Sequence, residues 1–122
     1  MRKFFSAPVL ADISLTNRCN LKCEYCYASS GDENKILSEL SLDTYKLLFE
    51  QLDKMNVHRI SLTGGEPLLR KDFFEILNEA QKYKFAIIIN SNGILINDSI
   101  ACKLKNYRFD RICITIDGSS SK

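Results

Sequence analysis

The sequence predicts an α/β fold, and three observations predict it. Four short apolar or β-branched runs, residues 9–16, 58–63, 85–90 and 111–117, read as strands. Segments with apolar residues at helical spacing lie between them, and strand–helix–strand units with short links build one parallel sheet. The strands alternate polar with apolar residues, whereas a parallel strand covered on both sides is apolar on both faces. One face of the sheet is therefore wet, and a truncated partial (β/α) barrel of TIM-like type, with about four parallel βα units and a ligand-bearing lumen, is the expected architecture.

The elements follow in order. In the first strand Ala11, Ile13 and Leu15 alternate with Asp12, Ser14 and Thr16. A cysteine-rich stretch comes next, then the one clear polar loop, residues 29–35. Ser41 is placed to cap a helix in which Leu42, Tyr45, Leu48, Phe49, Leu52 and Met55 share a face. The second strand sets Ser61 and Thr63 against Ile60 and Leu62, and a Gly-Gly turn leads to a second helix with the stripe Phe73, Ile76, Leu77, Ala80. The third strand closes on Asn90-Ser91-Asn92-Gly93, and a shorter helix from Asn97 is expected to bury Ile100, Ala101 and Leu104. The fourth strand sets Thr115 and Asp117 against Ile114 and Ile116. Only five residues, Gly118 to Lys122, follow it, so the chain reads as cut short.

The 122 residues, 45% of them apolar, suffice for one core, and residues 1–122 are read as one domain portion. Seventeen basic and 15 acidic residues give a net charge of +2 without single-sign blocks, so nothing electrostatic asks for nucleic acid or a membrane surface. The apolar runs are short and residues 1–11 lack the pattern of a signal peptide, which predicts a cytoplasmic protein. Five cysteines, three of them within eight residues, are in a reducing compartment a sign of metal binding rather than disulfides.

Cys19-Asn-Leu-Lys-Cys23-Glu-Tyr-Cys26 follows the first strand directly, at the edge where α/β folds place their ligands. Thiolates suit iron–sulfur clusters or zinc, and three of them leave one iron of a four-iron cube without a protein ligand. Zinc would need a fourth ligand, and the single histidine, His58, begins a strand at the opposite edge. At the carboxyl end of the second strand, Thr63-Gly64-Gly65-Glu66-Pro67 offers glycines that allow close backbone approach to a ligand, a carboxylate that can meet an ammonium group, and a proline that ends the ladder.

The spacing C-x3-C-x-aromatic-C, with Tyr25 in the aromatic slot, resembles the signature of the radical S-adenosylmethionine (SAM) superfamily, and Gly64 to Pro67 resembles its GGEP motif. The resemblance implies that Cys19, Cys23 and Cys26 ligate a [4Fe-4S] cluster. It implies that SAM chelates the open iron and is cleaved to a 5′-deoxyadenosyl radical that abstracts a substrate hydrogen. It also implies cofactor-binding roles for Tyr25, Gly64, Gly65, Glu66 and Pro67, with the Gly-Gly-Glu run against the methionine amino group. Ser91 and Asn92 resemble the family's third-strand turn and are candidate SAM neighbours, although an ordinary Asn-Gly turn explains them equally. Thr115 stands where the family's fourth strand carries a serine, which implies a contact to the SAM carboxylate or ribose.

By the same resemblance the complete core is a six-unit partial barrel, extending beyond the four units in view. The substrate class suggested is a peptide or protein, or that of the molybdenum-cofactor cyclase group, and a flavodoxin or ferredoxin is the implied reductant. The unpaired fourth strand predicts self-association. A fragment that holds an iron–sulfur cluster or zinc without chemistry is the alternative. Cys102 and Cys113 read as small buried hydrophobes, His58 as a surface or strand-end residue, and the lysines and arginines as solvated faces.

Overall fold

In the computed structural model the structure describes residues 8–31 and 38–117. The second half of the polar loop at 29–35 and the tail Gly118 to Lys122 lie outside the described residues. Four strands, β1 (Leu10–Ser14), β2 (Arg59–Thr63), β3 (Ala86–Ser91) and β4 (Arg111–Ile114), alternate with α1 (Leu42–Lys54), α2 (Phe73–Ala80) and α3 (Asp98–Leu104). All neighbouring strands pair in parallel, in the order β1-β2-β3-β4. The α/β fold of parallel βα units is as the sequence predicts.

The sheet is two-faced. Ile13, Leu15, Ile60, Leu62, Ile87 and Ile89 are buried against Tyr45 and Phe49 of α1, Phe73, Ile76, Leu77 and Ala80 of α2 and Leu104 of α3. Their neighbours along each strand necessarily point the other way. That second face carries Asp12 and Ser14 on β1, Ser61 and Thr63 on β2 and Asn90 on β3, with Asn90 Nδ2 donating to Ser61 Oγ at 2.8 Å.

Local chemistry sets the helix ends. Ser41 Oγ accepts from the Thr44 amide at 3.3 Å and Asn97 Oδ1 from the Ile100 amide at 2.9 Å, each satisfying one of the free donors of a first turn. Helix α1 stops one residue before Met55, which the apolar stripe had included and which is 48% exposed. Asn56 adopts a left-handed φ of 57°, the chain turns, and Val57 is buried instead.

Four further expectations are corrected. Ala101, Cys102 and Cys113 are exposed: Leu104 alone of the α3 stripe is fully buried, Ile100 is half-buried, and β4 is exposed along its whole length. Arg70 is no solvated cation but is 5% exposed, held by the carbonyls of Leu15 and Leu40 and by the Asp72 carboxylate. His58 is exposed at the start of β2, in line with the reading of it as a surface residue.

Candidate functional site

The parallel ladder between β1 and β2 does not end with the strands. The Leu15 amide donates to the Thr63 carbonyl at 2.9 Å, Gly65 to Thr16 at 2.8 Å and Glu66 to Arg18 at 2.8 Å, so the glycine turn is zipped onto the backbone that leads into the cysteines. There is no room between them for side chains. A β-carbon on Gly64, whose φ is +142°, would meet the Thr16 carbonyl oxygen at 2.4 Å, and one on Gly65 would meet that of Arg18 at 2.2 Å. The close approach read from these glycines is thus made to the cysteine loop itself.

The loop is a succession of tight turns. The Cys26 amide donates to the Cys23 carbonyl at 3.1 Å, the Ser29 amide to the Cys26 carbonyl at 3.1 Å, and the Gly31 amide returns to the Asn17 carbonyl at 3.0 Å. The Cys26 thiol pKa is lowered, chiefly by the Ser30 amide; burial opposes this, and the amides of Ala28 and Ser29 and the Ser30 hydroxyl add to it. The Tyr25 hydroxyl hydrogen-bonds to Asp117, beyond the end of β4, and its pKa is pushed up to about 12. Asn92 reaches back from the end of β3, its Nδ2 lying 2.7 Å from Asn20 Oδ1 and 3.9 Å from Cys19 Sγ.

A cavity of about 420 Å³ opens at this carboxyl edge, a size typical of small-molecule sites. Of the residues singled out from the sequence, Cys19, Cys23, Cys26, Tyr25, Gly64, Gly65, Ser91, Asn92 and Thr115 line it. Glu66 and Pro67 do not. Glu66 is 0% exposed, and its carboxylate accepts from the Leu68 amide at 3.2 Å, the Ser91 hydroxyl at 2.9 Å and the Asn92 amide at 2.8 Å. It thereby ties the turn after β2 to the end of β3, while Pro67 opens a single 3-10 turn, Pro67–Leu69.

The cavity also has walls that sequence reasoning did not single out: Asp12, Leu21, Tyr27, Ser30, Thr63, Asn90 and Asp117. The polar alternation of β1 and β2 marks Asp12 and Thr63 as facing the wet side. Ser30 is carried there by the loop's return, in which the Gly31 amide donates to the Asn17 carbonyl.

The donor set fits an iron–sulfur cluster. Three free thiols share one cavity, and soft sulfur donors suit such a cluster. Among the described residues no three His, Cys, Asp or Glu side chains are gathered closely enough to hold a single metal ion. Among those residues, too, no helix is long and apolar enough to cross a membrane.

A family model described as the radical SAM superfamily matches residues 13–122. Mycofactocin maturase MftC of Mycolicibacterium smegmatis is 32% identical, the match covering 95% of this chain and 29% of MftC. A probable GTP 3',8-cyclase of Methanocaldococcus jannaschii is 35% identical over 86% of this chain and 35% of its own length. Among solved structures, BtrN in complex with AdoMet and 2-DOIA superimposes with a TM-score of 0.77 at 27% identity, covering 100% of this chain and 50% of BtrN. The chain thus spans about a third of the length of these curated relatives.

Proposed function

The chain belongs to the radical SAM superfamily, and from that membership we propose that its carboxyl-edge cavity is the cluster and SAM site of a radical SAM enzyme. The observation that carries the proposal is the convergence of Cys19, Cys23 and Cys26 with Gly64, Gly65, Ser91, Asn92 and Thr115 on one cavity, although they come from four separate strand ends. Cys19, Cys23 and Cys26 would hold a [4Fe-4S] cluster. When bound, the cluster and SAM supply one-electron cleavage of SAM and a 5′-deoxyadenosyl radical that takes hydrogen from the substrate.

The chain's own residues do the rest by position. Gly64 and Gly65 put bare backbone on the cavity wall, where the methionine end of SAM would lie, while the Gly65 amide itself is held by the Thr16 carbonyl. Glu66 acts from behind: by accepting from Ser91 and Asn92 it fixes the third-strand turn that walls the same cavity. Tyr25 and Thr115 line the same cavity and would face the rest of the cofactor.

A peptide or protein is the proposed substrate, supported by the likeness to a maturase over nearly the whole chain. The likeness to a GTP cyclase favours a small-molecule substrate as the second reading. A low-potential flavodoxin or ferredoxin in a reducing cytoplasm is the proposed electron donor, in keeping with five free thiols.

Anaerobic reconstitution with iron and sulfide, followed by electron paramagnetic resonance of the reduced protein, tests the proposal. A [4Fe-4S]+ signal that shifts on addition of SAM is the expected result. A signal indifferent to SAM would remove the SAM site, and zinc without sulfide would replace the reading with a non-catalytic metal-binding one.

A further inference from the structure

Ser30 is a buried serine in a polar loop, 7% exposed, and among the described residues its hydroxyl oxygen has no hydrogen-bond partner. An unpaired buried hydroxyl costs free energy, so an evolved site keeps one only where something outside the polypeptide completes it. Ser30 lines the cavity shared by the three cysteines. The turn that precedes it, in which the Ser29 amide donates to the Cys26 carbonyl at 3.1 Å, sets it at the Cys26 end of the loop. Asn92 Nδ2 flanks Cys19 Sγ at 3.9 Å.

We infer that Ser30 is a positioning residue whose hydroxyl donates to a sulfur of the bound cluster and raises the cluster's reduction potential. This inference rests on the cluster site proposed above. The physical basis is charge: reduction adds an electron to the cluster, and a donor aimed at one of its sulfurs stabilises the more negative state more than the oxidised one. Because the hydroxyl is buried, water does not screen that interaction or substitute for it.

The test is a redox titration of the anaerobically reconstituted protein, followed by electron paramagnetic resonance, for the wild type, Ser30→Ala and Ser30→Thr. Ser30→Ala should keep its iron and sulfide but show a reduction equilibrium about tenfold less favourable, about 59 mV lower for a one-electron couple. Ser30→Thr, which keeps the hydroxyl, should return towards the wild-type potential. A wild-type potential in Ser30→Ala overturns the inference, as does a Ser30→Thr shift as large as that of alanine, since volume and not the hydroxyl would then be at work. Loss of iron in Ser30→Ala also overturns it, because a tuning donor is dispensable for assembly. Absence of any cluster in the wild type overturns the cluster site and this inference together.

Discussion

A β-carbon on Gly65 would lie 2.2 Å from the Arg18 carbonyl oxygen and 3.0 Å from Cys19 Cβ. Both obstacles belong to the loop that carries the thiols, so Gly65→Ala moves the cysteines or does not fold locally. We expect it to cost about 1–3 kcal/mol, the range for overpacking a closed site, and to cut iron uptake severalfold, read by urea unfolding and iron assay. Gly93→Ala is the contrast. Its obstacle is an exposed side chain on β4, Ile114 Cγ2 at 2.8 Å, and not the cysteine loop, and its left-handed φ of +77° costs about 1–2 kcal/mol in stability while iron content holds. Glu66 makes the complementary point. Its two oxygens take three donors, so Glu66→Gln turns an amide NH2 towards at least one of them, at a cost of about 1–3 kcal/mol by urea unfolding. An unchanged midpoint would show that the carboxylate does not hold the turn after β2 to the end of β3.

Arg70 joins elements rather than residues. Its guanidinium donates to the Leu15 carbonyl at 2.8 Å at the end of β1, to the Leu40 carbonyl at 2.7 Å ahead of α1, and to Asp72 at 2.7 and 2.9 Å at the start of α2. It also lies 5.2 Å from the centre of the Tyr45 ring of α1. Arg70→Met would strip two carbonyls and a carboxylate of their donor; because the Asp72 side chain is 35% exposed, the cost falls mainly on the carbonyls, at about 1–3 kcal/mol. The pair also gives the fold a pH dependence of definite sign. The Arg70 hydrogen bond leads in lowering the Asp72 carboxyl below its ordinary 3.8, against some burial, so its contribution is complete above that value and is lost as pH falls through the lowered one. Arg70→Met should flatten the acid limb of the stability profile below about pH 4, and an acid limb as steep as the wild type's would refute the assignment. The strands and helices were legible because their periodicity is a property of consecutive residues, and the thiols because their spacing is local. Arg70 and Glu66 were not legible in their true roles: a cation in a loop and a carboxylate after a glycine turn look alike whether solvated or buried. What decides is the meeting of segments up to 55 positions apart, as between Arg70 and Leu15.

At the scale of the molecule the sheet is open. Strands β1 and β4 each pair on one side only among the described residues, and their free edges differ. Strand β1 faces the wet side with Asp12 and Ser14, whereas β4 is flanked by an apolar groove shared with α3, to which Ile96, Leu104, Phe109, Ile112 and Ile114 contribute. Ile112, Ile114 and Ile116 are all exposed. Unpaired amides and carbonyls beside apolar side chains form the template onto which another strand adds, and Arg111 is the only charge within β4 to oppose it. The 122-residue chain should therefore associate with itself through β4 in a concentration-dependent way. Ile114→Lys, which sets a charge in the groove without touching the ladder, should weaken that association at least about tenfold, the effect of burying one poorly paired charge at a cost of about 1.4 kcal/mol. Sedimentation velocity across a range of protein concentrations decides the matter. A single sharp monomer at every concentration would mean that β4 tolerates its open edge, and a variant that associates as strongly as the parent would move the contact away from α3 and β4 to some other face.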